Sequence, residues 1–566
     1  MTTDNALGAT NGATTVESGA TLEVSGGITL ADDITITGSG VDDGGAIRSL
    51  GDGENTLSGT ITLGGDARIN VDAPLGSVTA LAGWGTNDFT VEPAATTLTI
   101  FSQTATTMTM SGTPGIGDTL GGYLPVSDWS SVSNFGVQMS ITGTNNNLPF
   151  TLALYDGDFN VANTYAATTE GIGATPGVVL LDLISAGSGI LTNVSGLQFT
   201  WDASAAINAT FSSLVSVPTS GLVISGNVSA GANVLTLGAA AGPSGTVADG
   251  IRMTGAISGS GGTYEGTATT LVKDGGGTVY LSGNNTFTGD TRILDGVLSI
   301  MPTASTNALG IGSDLFVSAF AELEVAGNVS VSSIQGEGAV RMQGGKELTV
   351  NGAGKTMTLA GNISGQGGVR LSGDASTLLT LTGNNTFTGA TRVVAGTLAL
   401  EGAGGNQALS STDGVIVSSG AKLLINASDQ VFNSADMTLS GGTIQRGGGV
   451  SEVFGNLVLT TASFLDYGTG ETGTLRFGNY APSSLLTVNN FLPGNKLQFG
   501  NTISSTDLEN ASLFSFSSGF TTGTESGFFT ITAIPEPTSY VAAAGLVVLL
   551  LCSSRLRLLR RLLRGD

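Results

Sequence analysis

The stretch GNNTFTG occupies residues 283–289 and recurs, letter for letter, at 383–389. Around it, TVYLSGNNTFTGDTRILDGVLSI (278–300) aligns without a gap on LLTLTGNNTFTGATRVVAGTLAL (378–400), and twelve of the twenty-three positions match. The flanks alternate apolar with small polar residues over four to six positions and stop at Gly, Asn or Asp. That is the period of a strand, closed by residues suited to corners. Read this way, Asn284 and Asn285 (Asn384 and Asn385 in the second copy) turn the chain. Phe287 and Phe387 plug a core, and Gly289 and Gly389 release the next strand.

Other segments follow the same grammar: ITL (28–30), ITIT (34–37), TMTL (356–359) and GVRL (368–371). No long 3.6-residue pattern precedes residue 538. One coil of such short strands cannot bury its own apolar face, so repetition implies stacking, each coil lying about 4.8 Å from the next. The expected fold is all-β, a right-handed parallel β-helix or solenoid. A second marker supports the period. NALG (5–8) leads to TLEV (21–24), NALG (307–310) to ELEV (322–325), and NQALS (406–410) to KLLI (422–425). In the internal copies GVLSI or GTLAL comes just before, so the chain is expected to begin in mid-repeat. On that reading Met1 is a mis-called start or a fragment boundary, with a signal peptide upstream.

Composition agrees. Glycine supplies 88 of 566 residues and only 11% are charged, yet mean hydropathy is +0.27 and 40% of residues are hydrophobic. Such a chain is too apolar to be disordered. Net charge is −24, which repels phosphate backbones and argues against a nucleic-acid partner. Histidine is absent and Cys552 is the sole cysteine, so the usual general base and the usual metal ligands are missing. No catalytic, cofactor or metal site is expected.

Five segments are expected: solenoid coils at 1–91, an inserted β-sandwich at 92–218, further solenoid at 219–445, an aromatic-rich C-terminal capping β-domain at 446–533, and a tail at 534–566. The insert carries Trp129 and Trp201 and a hairpin formed by FGVQMSI (135–141) and FTLALYD (150–156). The tail reads AIPEPTSYVAAAGLVVLLLCSSRLRLLRRLLRGD. Val541 to Cys552 as a helix would cover about 18 Å. Extension from Tyr540 to Leu559, with arginines snorkelling, approaches a bilayer span. A transmembrane helix is therefore expected, with the cluster Arg555, Arg557, Arg560, Arg561 and Arg564 cytoplasmic and the rest of the chain outside.

The tripeptide Pro535, Glu536, Pro537, followed by the apolar run and terminal arginines, resembles the PEP-CTERM sorting signal of Gram-negative bacteria that make exopolysaccharide. The resemblance implies export, tethering to the inner membrane, and recognition with cleavage near the tripeptide by an exosortase-like enzyme. LVKDGGGTVYLSGNNTFTGDTRILDGVLSI (271–300) and its partner at 371–400 are similar to the autotransporter-associated β-strand repeat, which implies the β-helical passenger region of an exported protein. No terminal outer-membrane barrel follows in the sequence.

Three features of the sequence resemble sites. GAGKT (352–356) lacks the first glycine of a phosphate loop and is followed by a strand. DGDFN (156–160) spaces Asp156, Asp158 and Asn160 as a calcium loop does, but Val161 and Ala167 stand where glycine and the closing carboxylate belong. No carboxylate pair suited to glycoside cleavage stands out. The expected function is a non-catalytic structural or adhesive protein of the cell surface or extracellular matrix, with extracellular polysaccharide as its partner. The alternatives are a polysaccharide lyase or hydrolase on a β-helix, and a carbohydrate-binding protein using the 92–218 domain, with Trp129 or Trp201 exposed on a sheet face.

Overall fold

The computed structural model describes residues 1–535 apart from 5, 9–11, 51–52, 73–78, 83–89, 93–98, 104–106, 115, 131–134, 144–147, 170–171, 173, 175–176, 203–205, 217–219, 241–249, 302–307, 311 and 403–406. The tail from residue 536 lies outside the described residues. With it lie Glu536, Pro537, the five arginines of the cluster and the expected transmembrane helix. Among the described residues no helix is long and apolar enough to cross a membrane. Two units compose the chain, one of residues 1–299 with 303–311 and one of 300–302 with 312–566.

In the N-terminal unit the alternating segments become a parallel solenoid with three short strands to a coil. The strands Thr29–Leu30, Gly53–Leu57, Ser220–Ile224, Gly250–Met253 and Thr278–Leu281 form one ladder, all parallel. Ile34–Gly38, Ile61–Val71, Val228–Gly231 and Ile257–Gly259 form a second. Ile47–Ser49, the far half of Ile61–Val71, Leu235–Ala239 and Thr267–Asp274 form a third. Side chains at equal register stack inward: Leu57, Ile224, Met253 and Leu281 are all buried and occupy one column. Burying each such side chain contributes about 1.5–3 kcal/mol, and only stacking makes that burial available.

The pairing also shows how the solenoid treats the chain between two of its coils. Residues 53–71 pair directly with residues 220–239. The intervening chain leaves at the corner after Val71 and rejoins at Ser220 without disturbing the ladder. Gly226 marks how close the contact is: a Cβ there would stand 1.8 Å from the Gly59 carbonyl oxygen. The same column continues through Gly255 and Gly283, each pressed on the glycine one coil before. Neither the backbone at these positions nor that at Asn284 or Asn285 lies in the left-handed region. These glycines are required because coils approach too closely for any side chain, not because the chain turns there.

The excursion itself holds two six-stranded antiparallel sheets. One contains Thr99–Gln103, Met108–Gly112, Ile207–Ser216, Phe135–Ile141 and Gly177–Leu180, with Thr79–Ala82 paired at its side. The other runs Asp182–Ala186, Val161–Thr168, Pro149–Asp156, Val194–Trp201, Thr119–Ser127, Thr90–Glu92. Their apolar faces share one core containing Met110, Phe135, Phe150, Phe199 and Phe211. The hairpin expected between FGVQMSI and FTLALYD does not form. Phe135–Ile141 belongs to the first sheet and Pro149–Asp156 to the second, which pairs instead with Val161–Thr168 and Val194–Trp201.

In the C-terminal unit a parallel ladder runs from Asp314–Val317 through Ser333–Gly336, Thr356–Leu359, Leu378–Leu381, Thr397–Leu400, Lys422–Ile425 and Thr443–Arg446. It continues through Ser463–Asp466 and Leu486–Asn489 to Phe514–Phe516. The aromatic-rich residues from 446 to 516 thus pair as coils, with Phe454, Phe477 and Phe499 stacked at ring separations of 4.9 and 6.0 Å. The final hairpin, Phe520–Glu525 with Phe528–Ala533, pairs antiparallel to Lys496–Phe499. Among the described residues the single α-helix is Ser505–Glu509, capped by the Ser504 side chain accepting from the Asp507 N–H.

Candidate functional site

The repeated corner is where sequence most invites a binding site, and its geometry can be followed atom by atom. The extended segment 285–288 lies along the preceding coil: the Thr286 N–H donates to the Ile257 carbonyl at 2.9 Å and the Thr288 N–H to that of Gly259 at 3.0 Å. In the second copy Thr386 and Thr388 donate to Ile363 and Gly365 at 2.8 and 2.9 Å. Alternation then sends Asn285 and Phe287 inward and leaves Asn284 at the surface. Asn285 is spent on both neighbours. Its Oδ1 accepts from the Ile257 N–H at 2.7 Å and its Nδ2 donates to the Ala308 carbonyl at 2.6 Å. Asn385 repeats this with Ile363 at 2.7 Å and Ala408 at 2.7 Å.

Ala308 and Ala408 belong to the NALG and NQALS markers. The two recurrent sequence elements are therefore joined by a buried amide, and Gly310 of NALG packs against Phe287 so tightly that a Cβ would lie 2.6 Å from its ring. Gly289 faces Thr270 and Gly389 the Gly367 carbonyl, again without room for a side chain. Asn285 and Asn385 are enclosed in coil-to-coil contact, while Asn284, Thr286 and Thr288, with Asn384, Thr386 and Thr388 in the second copy, face outward. Asn384 uses its N–H on Asn362 Oδ1 at 2.9 Å.

Buried charges serve the same end. Lys273, the lysine of the LVKDGGG lead-in, is fully buried, and its ammonium donates to the carbonyls of Asp274, Gly275 and Asp295 at 3.1, 2.5 and 2.8 Å. Burial pulls its pKa down to about 8, partly offset by Asp295 and Asp274. Burial likewise lifts the Glu452 carboxyl to about 7, against the opposing pull of backbone N–H groups of Gln430 and Val431 at 2.7 and 3.2 Å. Arg446, buried over the Tyr467 ring at 4.9 Å, donates to the Glu471 carbonyl and to Asn495. Sequence reading missed all three. The second repeat carries Gly373 at the position equivalent to Lys273, so the repetition gave no signal for the lysine.

Surface charges pair across coils. Arg341 meets Glu322 at 2.7 Å and Glu324 at 3.0 Å, Arg68 meets Asp274 at 2.7 Å, and Arg48 meets Asp72 at 2.5 Å. Exposed pairs of this kind contribute at most about 1 kcal/mol each, and they engage the carboxylates of Asp72, Asp274, Glu322 and Glu324. The phosphate-loop mimic is also occupied: Lys355 pairs with Asp314, and the Gly354 N–H donates to Asp374 at 3.1 Å. In DGDFN, Asp156 accepts from the Asp158, Asn160 and Ile190 N–H groups, which hold its carboxyl below the usual range. It is a turn carboxylate. Among the described residues no group of three or more metal-ligating side chains occurs.

The tryptophan that the carbohydrate-binding alternative places exposed on a sheet face is enclosed at both positions. Trp129 and Trp201 are 2% and 0% exposed, inside the core shared by the two antiparallel sheets, where Trp201 packs edge-on against Phe150 at 5.7 Å. Neither can stack on a ligand.

Residues 271–300 and 378–400 match the family model of the passenger-associated-transport-repeat. No curated protein matches the chain. Among solved structures, the family 11 carbohydrate-binding module of the cellulase Lic26A-Cel5E of Clostridium thermocellum is 14% identical. It covers 26% of this chain and 96% of its own, with a TM-score of 0.19. A family 11 module of the same organism, in complex with a β-1,3-1,4-mixed-linked tetrasaccharide, is 15% identical over 24% of this chain and 94% of its own, also at 0.19. The Pseudomonas phage phi297 tailspike gp61 is 9% identical, over 89% of this chain and 87% of its own, again at 0.19.

Proposed function

We propose that this chain is an exported, non-catalytic protein of the bacterial cell surface or extracellular matrix, displaying its antiparallel two-sheet excursion, a β-sandwich module, from a solenoid stem. The observation that carries this reading is the pair of passenger-associated repeats lying within parallel ladders, with Asn285 and Asn385 turned inward. Repeats of that kind point to an exported passenger. Buried amides, an enclosed ammonium and arginine-bridged carboxylates supply rigidity, which suits a scaffold. The acidic surface resists bundling of neighbouring stems.

The tail completes the reading. Pro535, Glu536 and Pro537, with the apolar segment and terminal arginines, would deliver the chain to the inner membrane and to an exosortase-like enzyme, and extracellular polysaccharide is its expected setting. Fractionation of cells, with mass spectrometry of the mature C-terminus, tests this. Protein outside the cytoplasm that ends near the tripeptide is the expected result. Exported protein intact through Asp566 would sink the processing step, and protein confined to the cytoplasm would sink the whole reading.

A further inference from the structure

Between Arg68 and Arg252 the sequence contains no lysine, arginine or histidine. The antiparallel excursion lies entirely within that interval, so whatever it meets is not held by positive charge. Its second sheet turns Leu120, Phe150, Leu152, Leu154, Leu197, Phe199 and Trp201 into the core. Alternation therefore places Gly121, Tyr123, Thr151, Tyr155, Gln198 and Thr200 on the opposite face. Tyr123 and Tyr155 are both in register with Gly196, one on each side. Their rings rise two strands apart, about 10 Å, with a bare Cα between them. The Tyr155 hydroxyl donates to Gln198 Oε1 at 3.3 Å, which fixes that ring beside a surface amide.

Tyr123 is 56% exposed, and against it, edge to face at 5.9 Å, stands Phe159 at 65% exposed. Phe159 sits at the tip of the DGDFN turn with φ of 63°, a left-handed backbone that glycine or asparagine adopts and that a bulky side chain resists. A phenylalanine that is both strained and solvent-facing gains nothing for folding at that position. Strain kept at an exposed aromatic points to a surface role.

We infer that Tyr123, Tyr155 and Phe159 form a stacking face for a neutral polysaccharide chain. The rings offer apolar area with little conformational entropy to lose, while the amides of Gln198 and Asn160 and the threonine hydroxyls suit a hydroxyl-rich ligand. An anionic polymer finds no cation here and meets Asp158 beside Phe159. A protein partner needs on the order of 800 Å² per side, more than three partly exposed rings of roughly 150–250 Å² each can supply. An open sheet face fits an extended chain and not a small molecule. This deepens the display reading, which supplies the setting in which such a polymer is met.

The test uses the full chain, retained on cellulose, chitin, starch granules and immobilised galactomannan, with polygalacturonate as the anionic control. Retention on at least one neutral polymer is expected, insensitive to added salt. Tyr123→Ala should weaken it roughly tenfold. Phe159→Gly should weaken it similarly while leaving the melting temperature unchanged or raised, since the strain is relieved. Gly196→Val keeps every ring but fills the notch; a Cβ there meets nothing nearer than the Gly122 carbonyl at 3.4 Å. It too should lose retention. Failure of every neutral polymer to retain the protein, preference for polygalacturonate, or unchanged retention by Tyr123→Ala and Phe159→Gly would overturn the inference. A cytoplasmic location with retention intact would instead refute display and leave this face standing.

Discussion

Replacing Asn285 by alanine removes both hydrogen bonds of a side chain that is 1% exposed. The Ile257 N–H and the Ala308 carbonyl are then left without their partner in an apolar corner. Each buried group so orphaned costs about 1–3 kcal/mol, giving about 2–6 kcal/mol for the pair. A long solenoid need not unfold in one step, so the assay of choice is amide hydrogen exchange resolved to the peptide containing Ile257. Exchange there should accelerate by roughly thirtyfold at the low end of that range and more than a thousandfold at the top. Asn284→Ala, one residue away at the surface, should change it little. Asn285→Asp sharpens the test. The oxygen replacing Nδ2 would face the Ala308 carbonyl, so the carboxyl is held protonated and its defect shrinks as pH falls. Protection at Ile257 within threefold of the unsubstituted chain in Asn285→Ala, or an equal loss in Asn284→Ala, would refute the bridging role.

Three further outcomes follow from the same geometry. With its carboxyl lifted from 4.5 to about 7, Glu452 holds a proton in the fold that the unfolded chain releases. Stability of its unit should therefore fall by ~3 kcal/mol as pH rises from 4.5 to 7, and Glu452→Gln should flatten that slope in denaturant titrations. Gly226→Ala drives a methyl into the Gly59 carbonyl and should destabilise by about 1–3 kcal/mol or more, whereas Gly523→Ala, with open space around it, should melt as the unsubstituted chain does. Excising residues 73–218 and closing the gap with a short glycine linker should leave a folded β-solenoid by circular dichroism. Loss of cooperative melting would show that the excursion is needed to align the coils.

Much of the scaffold was legible because its signal is local. Period-two segments ending in glycine or asparagine can only bury their apolar faces by stacking, and the spacing of GNNTFTG from NALG measures the stack. The division of labour within Asn284-Asn285 was not legible. Adjacent identical letters face opposite ways on a strand, and only the register decides which one is enclosed. The glycines were read as turn residues, yet Gly226 and Gly283 answer to a neighbour a full coil away in sequence. The aromatics from Phe454 to Phe499 suggested a new domain. Their recurrence one coil apart at Phe477 and Phe499 was the overlooked cue that they form a ladder. Trp129 and Trp201 left both faces of the sheet open, since type alone does not say which face a residue takes. The aromatic face of Tyr123 and Phe159 drew no notice because its members come from different strands and a turn.

The corner that releases the chain after Val71 is met again on other coils of the same unit. Its equivalents follow Ser49, Ala239 and Asp274 in the chain, set by the pairing of Ser49 with Val71, Val71 with Ala239 and Gly238 with Asp274. One position thus hosts connections of three residues, ten residues or a whole antiparallel module, while the ladders on either side keep count. Axial hydrogen bonding is indifferent to what hangs from the bend. Such a stem behaves as a rack with interchangeable fittings, and a lineage could exchange what it presents to its surroundings without relearning how to fold.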